Sequence, residues 1–591
     1  MGDLGGSDQS KRRQLDLCVH RSFLRGAGGG SRQFLKCFLI QSKQQPNIVI
    51  NQIKQQTLLL GFAIASSYLL TNQPTYAVPI PQPKSESTQI AQTIIINRVQ
   101  LIDNTVLTPK ELAPILQPLQ GKAINLEQVK TAAEAITQLY ISKGYITSQA
   151  KFDAQDPQSV MNGVAQIRAV EGEIERVDII GTTQTNPDYV RSRVNLGITK
   201  PFKGNLIEDQ LRLLRTDPIF RNVTASLKPG ASAGKSLLVV QVEEANQLGG
   251  SVSFDNYSPV SVGSERKGAN LSYRNLTGNG DLLAASYYRS TTGGSNLYDF
   301  SYSFPINPMN GTIAIRYGPS NYRITDTAFA DLNIKGANSL YDIVYRQPLI
   351  RSSREEFALS FGFNYQTGQT FLFENLATPF GFGPDANGVS TTSIFRFGQD
   401  YTLRDPDGTW ALRSQFNLGT GLFGATFVTT PNAGFFSWLG QLQRVHILGS
   451  DALLIASLDS QLSANPLLPS QQFSIGGGQS LRGFRQSALS GDNGIRLSLE
   501  TRLTAMRDQN TKRSLLQIAP FIDLGAIWNH GDNPTPSPPQ NFLAAAGLSV
   551  ITETIERLIL RIDFAIPFVN LQGRGNNLQD TSIYFSTNYS F

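Results

Sequence analysis

Cysteine and histidine, which build most metal and thiol chemistry, are scarce in this sequence. Its 591 residues include two cysteines and three histidines. Both cysteines, Cys18 and Cys37, lie within the first 77 residues, which leaves His446 and His530 beyond that stretch. Zinc centres are built mainly from Cys and His ligands, and a Cys–His catalytic pair needs a thiol. We therefore expect no metal, no cofactor and no enzyme, with a Ser–His hydrolase as the remaining catalytic alternative.

Long hydrophobic runs are also missing. A transmembrane helix needs roughly 20 mainly apolar residues, whereas the run Thr57–Leu70 has only 14. This excludes helical membrane spans but not membrane-crossing strands, which alternate apolar and polar residues instead. The run follows a basic stretch and precedes small residues at Thr75–Ala77, a pattern typical of a cleavable export signal. We predict a leader over residues 1–77 and a Pro-rich linker over residues 78–92.

An excess of one charge sign is confined to the leader. The formal net charge is +6. Residues 1–77 contain nine Lys or Arg and three Asp or Glu, and the rest of the chain contains 42 of each sign. Nucleic-acid binding depends on a basic surface that neutralises phosphates. The balanced chain beyond the leader therefore argues against a nucleic-acid partner.

Two similar units follow the linker. Over residues 93–173 the pattern predicts a strand, two helices and further strands, with capping boxes at Thr108–Glu111 and Asn125–Gln128. The same β-α-α-β-β order returns over residues 174–247. There Asn205–Glu208 is expected to cap the second helix. A repeated element order of this kind indicates two related α/β domains.

Helical periodicity ends near residue 248, and alternation replaces it. Tyr298–Phe304 alternates aromatic with polar residues, and Ile495–Glu500 alternates apolar residues with Arg, Ser and Glu. A membrane barrel needs an apolar face toward lipid and a polar face toward a wet lumen, and closure satisfies its backbone hydrogen bonds. We predict that residues 248–591 form an antiparallel transmembrane β-barrel of about sixteen strands. Fourteen or eighteen strands, or a soluble sandwich, are the alternatives.

The chain finishes with the same alternation. Phe585, Tyr589 and Phe591 share one face with Ile583, and the last residue is aromatic. Such an ending is typical of the terminal strand of an outer-membrane barrel, which must pair with the first strand because an open sheet edge is not tolerated in lipid. We expect this strand to close the barrel.

Two motifs lie in the barrel region. Gly476–Phe484 has the sequence GGGQSLRGF, and Phe521–Gly525 has the sequence FIDLG. Alternation places Phe521, Asp523 and Gly525 on one face, so the carboxylate points into the lumen. The glycine-rich segment has neither dinucleotide-binding nor Walker spacing, since no Lys-Ser/Thr follows it. The simplest alternative is an ordinary loop arginine among turn glycines.

These motifs and the two preceding domains resemble the Omp85 superfamily, and within it the TpsB transporters of two-partner secretion, also called haemolysin secretion/activation proteins. The resemblance covers about residues 93–591, with Leu in the place of the family's usual Val before the Arg-Gly-Phe motif. It implies that the α/β units are POTRA domains and that residues 464–494 form a long loop folded into the barrel. There it implies that Arg482 pairs with Asp523, with Glu500 as a second acceptor.

The implied pairing makes physical sense. A guanidinium inserted into a confined lumen needs a carboxylate, and its planar fork binds one bidentately, which Lys cannot copy. Gly483 would permit close backbone approach or an unusual dihedral angle. We expect a loop–barrel lock with a gating role rather than a catalytic one. The lock residues are Arg482, Gly483, Phe484, Asp523 and Glu500, supported by the motif residues Gly476, Gly477, Gly478, Leu481, Phe521 and Gly525.

The resemblance also implies a location and a partner. It implies an outer-membrane transporter of a diderm bacterium, with its POTRA domains in the periplasm and a monomeric barrel in outer-membrane lipid. The expected partner is a TpsA-like client, a large β-rich exoprotein of the adhesin or haemolysin kind. One alternative is an assembly factor of the same superfamily, which inserts other barrels. Another is a passive porin, although a porin would need neither soluble repeats nor the Arg482 loop.

Overall fold

The computed structural model describes residues 96–156, 159–373 and 375–591. The predicted leader (1–77) and linker (78–92) lie outside the described residues. The described chain forms two small α/β domains followed by a closed β-barrel. No helix in this part of the chain combines the length and the apolar character needed to cross a membrane.

The first domain packs two helices against a small sheet. Its elements are β1 (Arg98–Ile102), α1 (Pro109–Leu116), α2 (Leu126–Ser142), β2 (Gln149–Lys151), β3 (Val160–Met161) and β4 (Val164–Val170). β4 pairs in parallel with β1 and antiparallel with β2 and β3. Glu111 accepts hydrogen bonds from the N–H and the hydroxyl of Thr108. Asn125 and Gln128 exchange reciprocal bonds, so both predicted capping boxes form.

The second domain repeats the order with a three-stranded sheet. Its elements are β5 (Glu173–Ile180), α3 (Pro187–Asn195), α4 (Gly204–Thr216), β6 (Phe220–Pro229) and β7 (Lys235–Glu244). β7 lies in the centre, parallel to β5 and antiparallel to β6. Val190, Val194 and Phe202 are fully buried against this sheet. Each domain therefore has its own hydrophobic core.

The expected cap of α4 is wrong. The helix begins at Gly204 with Lys203 at the N-cap, and no side chain caps it, so Asn205–Glu208 lies inside the helix. The Gly204 N–H donates instead to the carbonyl of Gly144 in the first domain, at 2.9 Å. Since that carbonyl satisfies a free N–H at the helix start, no local side chain is needed there.

The barrel is antiparallel, and within the described residues it closes with sixteen long strands, as predicted. The strands are β8 (Leu248–Asp255), β9 (Arg266–Arg274), β10 (Leu282–Ser290), β11 (Ser295–Pro305), β12 (Thr312–Arg323), β13 (Lys335–Arg351), β14 (Glu355–Leu372), β16 (Val389–Asp405), β17 (Gly408–Thr420), β18 (Phe436–Ile447), β19 (Ala452–Ser463), β22 (Asn493–Arg507), β23 (Ser514–Trp528), β24 (Phe542–Thr552), β25 (Leu558–Pro567) and β26 (Ile583–Ser590). The shorter strands are β15 (Leu376–Ala377) beside β14, and β20 (Phe473–Ile475) and β21 (Leu489–Gly491), which pair with each other. β26 pairs with β8 and closes the cylinder.

The barrel strands alternate between an apolar outer face and a polar inner face. On β14, Phe361 is 56% exposed on the outside, whereas Asn364 is completely buried inside. On β22, Ile495 and Leu499 point outward, and Arg496 is buried inside. An outer apolar band around a polar interior is the surface that a transmembrane barrel requires.

The connections are short at one end of the barrel, and most of them are longer at the other. Those facing the two domains are tight turns, such as residues 448–451 between β18 and β19, whereas the connection from β19 to β22 spans residues 464–492. Outer-membrane barrels show this asymmetry, with short turns on the periplasmic side. Short 3-10 helices lie at Gln117–Leu119, Val260–Val262, Thr327–Leu332, Leu422–Gly424 and Pro469–Gln471.

The second domain rests directly on the barrel turns. The Asn186 N–H, at the start of α3, donates to the carbonyl of Gly278 at 2.8 Å. The Asn275 side chain donates to the hydroxyl of Thr185 at 2.9 Å. The side chain of Tyr189 occupies the space above Gly280, where a Cβ atom would lie 2.4 Å from its hydroxyl oxygen. These contacts fix the second domain at the barrel mouth.

Candidate functional site

The connection between β19 and β22 folds into the barrel. Residues 464–492 contain the hairpin of β20 and β21, which flanks the glycine-rich turn. At its tip Leu481, Arg482 and Phe484 are 0%, 1% and 2% exposed. Charged side chains are almost never buried to this degree unless they are paired. The surroundings of Arg482 therefore define the candidate site.

Arg482 binds Asp523 through three hydrogen bonds. Its Nε donates to Oδ2 at 2.6 Å and a terminal nitrogen donates to Oδ1 at 2.7 Å, which makes the pair bidentate. The backbone N–H of Arg482 adds a bond of 3.0 Å to Oδ2. The second terminal nitrogen donates to Glu500 at 2.7 Å. Because Asp523 lies on β23 and Glu500 on β22, one side chain ties the loop to two neighbouring strands.

Three further charged residues complete the site. Arg561 donates to the two oxygens of Glu500 at 2.7 and 3.2 Å and to Asp563 at 2.8 Å. Arg502 donates to Glu500 at 2.8 Å. Every charged member is less than a tenth exposed, so removal from water is offset only while the charges stay paired. We call the following set, with three positive and three negative charges, the lumenal cluster: Arg482, Arg502, Arg561, Glu500, Asp523 and Asp563.

Neutral side chains connect the charges of the lumenal cluster. The guanidinium carbon of Arg482 lies 3.2 Å from the ring centre of Phe521, so the cation stacks on an aromatic face. Ser498 donates to Asp523 at 2.6 Å. Ser549 donates to Asp563 at 2.5 Å. These hydroxyls use carboxylate lone pairs that the arginines leave open, which joins the set into one network.

Gly483 lets the loop lie flat against the barrel wall. Its φ is +99°, and a Cβ atom at this position would lie 2.9 Å from the Cβ of Ala545 on β24. Its N–H donates to the hydroxyl of Tyr584 at 2.9 Å, and that hydroxyl donates to the carbonyl of Phe484 at 2.6 Å. A side chain at residue 483 would strain the backbone and push the loop off the wall.

Apolar residues that flank Arg482 in the sequence pack against the barrel interior. Leu481 and Phe484 pack into a buried cluster with Ile475, Ile527 and Leu543. Leu481 also lies directly over Gly525, where a Cβ atom would be 2.9 Å from its Cδ1. Burying a side chain of this size contributes about 1.5–3 kcal/mol. The loop is therefore seated by hydrophobic contacts as well as by the ion pairs.

The same loop reaches the seam between the first and last strands. Arg485 binds Asp580 bidentately at 2.5 and 2.8 Å. The N–H of Gln486 donates to the side chain of Gln579 at 2.8 Å, and Gln579 donates in turn to the carbonyl of Asn256 at 2.7 Å. Asn256 follows β8, and Gln579 precedes β26. The position of the loop is thus connected to the closure of the barrel.

The three predicted terminal residues lie at this seam. The ring of Phe585 is 5.3 Å from that of Phe254 on β8. Tyr589 is the register partner of Val252. Phe591 exchanges backbone hydrogen bonds with Gly250 at 3.0 and 3.2 Å. The end of the chain therefore pairs with the first barrel strand.

The structure brings Arg482, Asp523 and Glu500 together, and Gly476 and Gly477 begin the turn that carries the arginine. Gly478 lies against Tyr257, whose ring would be 2.3 Å from a Cβ atom there. Sequence reasoning missed other members of the lumenal cluster. A signal for two of them was present, since Arg561 and Asp563 alternate with apolar residues on β25 and so belong to its lumen face.

The arrangement of side chains in the described residues favours neither metal binding nor hydrolysis. No group of three or more His, Cys, Asp or Glu side chains in the ranges that the structure covers is arranged to hold a metal ion. A terminal nitrogen of Arg444 lies 3.1 Å from Nδ1 of His446. Nδ1 of His530 accepts from the N–H of Asp532 at 3.2 Å. Neither contact is that of a nucleophile with its general base.

The fold and the site define a class of protein: an outer-membrane-type barrel that holds an inserted loop and is preceded by small α/β domains. The chain belongs to the haemolysin secretion/activation protein family ShlB/FhaC/HecB, whose model matches residues 234–551, more than half of the chain. Residues 94–172 match the ShlB-type POTRA domain. The chain is thus an outer-membrane transporter, and its family favours secretion over the assembly-factor and porin alternatives.

Individual relatives show how far the likeness extends. The chain is 24% identical over 589 residues to an outer membrane transporter CdiB from Escherichia coli, covering 91% of this chain and 94% of the relative. It is 23% identical over 427 residues to a heme/hemopexin transporter protein HuxB from Haemophilus influenzae, covering 68% and 71%. A solved structure of CdiB from Escherichia coli superposes with a TM-score of 0.63 at 20% identity, covering 92% and 98%. This structural likeness supports the fold.

Proposed function

We propose that the chain exports one large, unfolded, β-rich exoprotein across the outer membrane by two-partner secretion. The client is of the adhesin or haemolysin kind. Residues 93–173 and 174–247 act as two POTRA domains that meet the client in the periplasm, and residues 248–591 form its channel. A monomeric barrel in outer-membrane lipid suffices, and the lumenal cluster performs no catalytic step.

The observation that carries the proposal is the buried guanidinium of Arg482, which a loop brings into the lumen. A loop is attached only at its ends, so its contacts with Asp523 and Glu500 decide where it lies. While seated, the loop fills space that a client chain must cross. We infer that the lumenal cluster is a lock: it holds the loop in one position at rest and is released during export.

Client capture falls to the free edge of the second domain. β6 pairs with β7 on one side only, so within the described residues its other edge has unpaired backbone groups. Thr224, Ser226 and Leu227 on this strand are exposed. An extended peptide can add to such an edge through main-chain hydrogen bonds, which provide affinity without demanding a particular sequence. An unfolded β-rich client offers the matching partner.

The driving force is client folding outside the cell. The sequence has no Walker spacing that would bind a nucleotide. A chain that folds after it emerges cannot slide back through the barrel, so folding makes each forward step irreversible. Export then needs a lock that opens for the client, but it needs no bound nucleotide.

Replacing Arg482 tests the lock. Arg482→Ala leaves three buried carboxylates facing two arginines, and breaking a buried pair in this way costs about 3–5 kcal/mol. We expect the client in the medium to fall by about tenfold or more, while the inserted barrel stays near the wild-type amount. The measurement is mass spectrometry of the medium from the native host carrying each variant as its sole copy.

The matched control is Arg289→Gln, which removes an exposed cation on β10, far from the lumenal cluster. It should export like the wild type. Wild-type export by Arg482→Ala, with equal barrel amounts, would contradict the role of the lock.

A photo-crosslinker identifies the client. Placed at Ser226 on the β6 edge, it should capture one large secreted protein in the native host. The same crosslinker at Glu208, which is exposed on α4 rather than on the strand, should capture far less. A mixture of barrel precursors at Ser226 would instead indicate an assembly factor and overturn the proposal.

A further inference from the structure

A cavity lies where the second domain meets the barrel. Its volume is about 220 Å³, and Glu244, Gln247, Arg274 and Asn275 are among its lining residues. One wall belongs to the segment that leads from β7 into β8, and the other belongs to the end of β9 and the turn after it. The cavity is therefore at the barrel mouth, where a client would pass from the second domain into the channel.

Arg274, the last residue of β9, faces the lumen side of this mouth. Asn270 and Ser272 share its face and are buried inside, whereas Leu271 points outward and is 52% exposed. The terminal nitrogens of Arg274 lie beside Gly249, 3.1 and 3.2 Å from where a Cβ atom would be. Because residue 249 has no side chain, nothing at that position covers the guanidinium.

The guanidinium of Arg274 has no hydrogen-bond or ion-pair partner among the residues that the structure describes. Its Nε is buried without a hydrogen-bond acceptor among the described residues, and none of the ion pairs in that part of the chain includes it. Arg266, at the other end of the same strand, binds Asp255 at 2.7 Å. Arg274 as a whole is half-buried, but its Nε is removed from water. A desolvated cation without a counter-charge is costly, so one that persists indicates a site for an external anion.

Glu244, the acidic residue that lines the cavity, already has its own hydrogen-bond donors. The carboxylate of Glu244 accepts hydrogen bonds from the N–H groups of Thr183, Gln184 and Thr185 at 2.7–3.2 Å and from the Thr183 hydroxyl. These bonds turn it toward its own domain. The charge of Arg274 thus stays available to a ligand.

We propose that this cavity binds side-chain carboxylates of the client, with Arg274 as the anchoring cation. The inference rests on the proposed export function. A guanidinium fork matches a carboxylate in shape and charge and binds it bidentately. The lumen-facing direction of Arg274 favours a polypeptide in the channel over a lipid phosphate, which would approach from the Leu271 side. The cavity then positions acidic residues of the client at the mouth of the barrel.

Peptide binding to the purified full-length protein in detergent tests this site. The probes are two fluorescent synthetic peptides rich in Gly, Ser and Thr, one with spaced glutamates and one with glutamines in their place. We expect Arg274→Gln to weaken binding of the glutamate peptide about tenfold, the loss of one strong charge-assisted contact. Binding of the glutamine peptide should not change, and Arg274→Lys should restore part of the affinity.

Controls separate the competing outcomes. Arg289→Gln removes the same charge elsewhere and should bind both peptides like the wild type. Equal binding of the glutamate peptide by wild type and Arg274→Gln would overturn the proposal, as would equal losses for both peptides. Competition by inorganic phosphate at concentrations where acetate has no effect would assign the cavity to a phosphate group, such as a lipid headgroup, and would also overturn it.

The peptide experiment is independent of the export assay. A protein that secretes its client normally but shows no Arg274-dependent peptide binding would refute this site and leave the proposed function standing. A protein that shows the Arg274-dependent preference but exports no client would refute the proposed function and leave the carboxylate site.

Discussion

The barrel contains two clusters of ion pairs with the same composition but different attachment. The lumenal cluster has three arginines and three carboxylates, and so does a set on β13, β14, β16 and β17. Every member of that second set belongs to a strand, and its pairs Arg396–Asp342 and Arg346–Glu356 join strands at 3.1 and 2.6 Å. We call it the wall cluster: Arg346, Arg396, Arg413, Asp342, Asp400 and Glu356.

The two clusters differ in burial and in what else holds them. The Arg482 side chain is 1% exposed, whereas those of Arg346, Arg396 and Arg413 are 13%, 16% and 14% exposed. Backbone ladders fix the wall cluster on both sides. Arg482 sits on a loop that only side-chain and local contacts hold. The same chemistry therefore joins strands of the wall in one place and ties a loop to the wall in the other.

The largest predicted contrast comes from removing one carboxylate from each cluster. Asp523→Asn should lower export by about tenfold or more, because a buried guanidinium then loses its bidentate partner at a cost of about 3–5 kcal/mol. Asp400→Asn should leave export within about twofold, because the strand ladders keep Arg346 and Arg413 in place. The measurement is client in the medium per inserted barrel. Equal losses for the two variants would remove the distinction between lock and wall.

A second pair of substitutions keeps the positive charge but replaces the planar guanidinium with an ammonium group. Arg482→Lys cannot reach Asp523 bidentately and Glu500 at the same time, so it should lose about 1.5–3 kcal/mol and most of the export. Arg346→Lys in the wall cluster should export nearly as well as the wild type. Both are read in the same export assay. Wild-type export by Arg482→Lys would show that charge alone suffices and that the fork is irrelevant.

A smaller effect is expected from a substitution at Gly483. This glycine lets the loop that carries Arg482 approach the barrel wall, and the wall cluster has no counterpart to it. Gly483→Ala places a methyl group against Ala545 at a positive φ, which costs about 1–2 kcal/mol. Export should fall severalfold. Adding Ala545→Gly removes the contact but not the backbone strain, so the double variant should recover part of the loss. No recovery in the double variant would show that the contact with the wall is unimportant.

The smallest effect is expected at Glu244, where hydrogen-bond donors rather than arginines hold a carboxylate. Burial raises the pKa of Glu244, but hydrogen bonds from Thr183, Thr185 and Gln184 outweigh it and lower the pKa to about 2 from the ordinary 4.5. A folded-state pKa below the unfolded value means that ionised Glu244 stabilises the second domain above about pH 4.5. That contribution is lost as the pH falls toward about 2.

Hydrogen exchange at residues 183–185, corrected for its intrinsic pH dependence, measures this contribution. The wild type should lose protection between about pH 4.5 and about pH 2. Glu244→Gln should be less protected at neutral pH by about 1 kcal/mol and show no such transition. The same acid transition in both proteins would show that another group controls this loop.

The sequence predicted most of the fold because alternation and capping are local signals. Strand alternation around Ile495 and Phe521 placed Arg496 and Asp523 inside the lumen, where the structure has them. The cap of α4 was mispredicted because its partner, Gly144, lies in another domain. A contact between domains leaves no mark in the local pattern that capping rules use.

The site was only partly predictable for the same reason. Arg482 and Asp523 are marked by motifs, and Glu500 by its charge in an apolar strand. Arg561 also alternates with apolar residues on its strand, but this pattern was not used to predict it as a site residue. Tyr584 gives no signal, since its hydroxyl meets the loop only after the last strand has paired with the first. Contacts that depend on barrel closure need the closed structure.

A double-mutant cycle on Arg482 and Asp523 tests the central claim most directly. The chain beyond residue 77 contains no cysteine, so Ser480→Cys reports loop exposure through labelling by an external, membrane-impermeant maleimide. Arg482→Ala and Asp523→Ala should each speed labelling about tenfold, as the loop leaves its seat. Because both variants break the same Arg482–Asp523 pair, the double variant should label at most about twofold faster than the faster single variant. Rates that multiply to about a hundredfold would show two independent contributions and contradict a lock made by this pair.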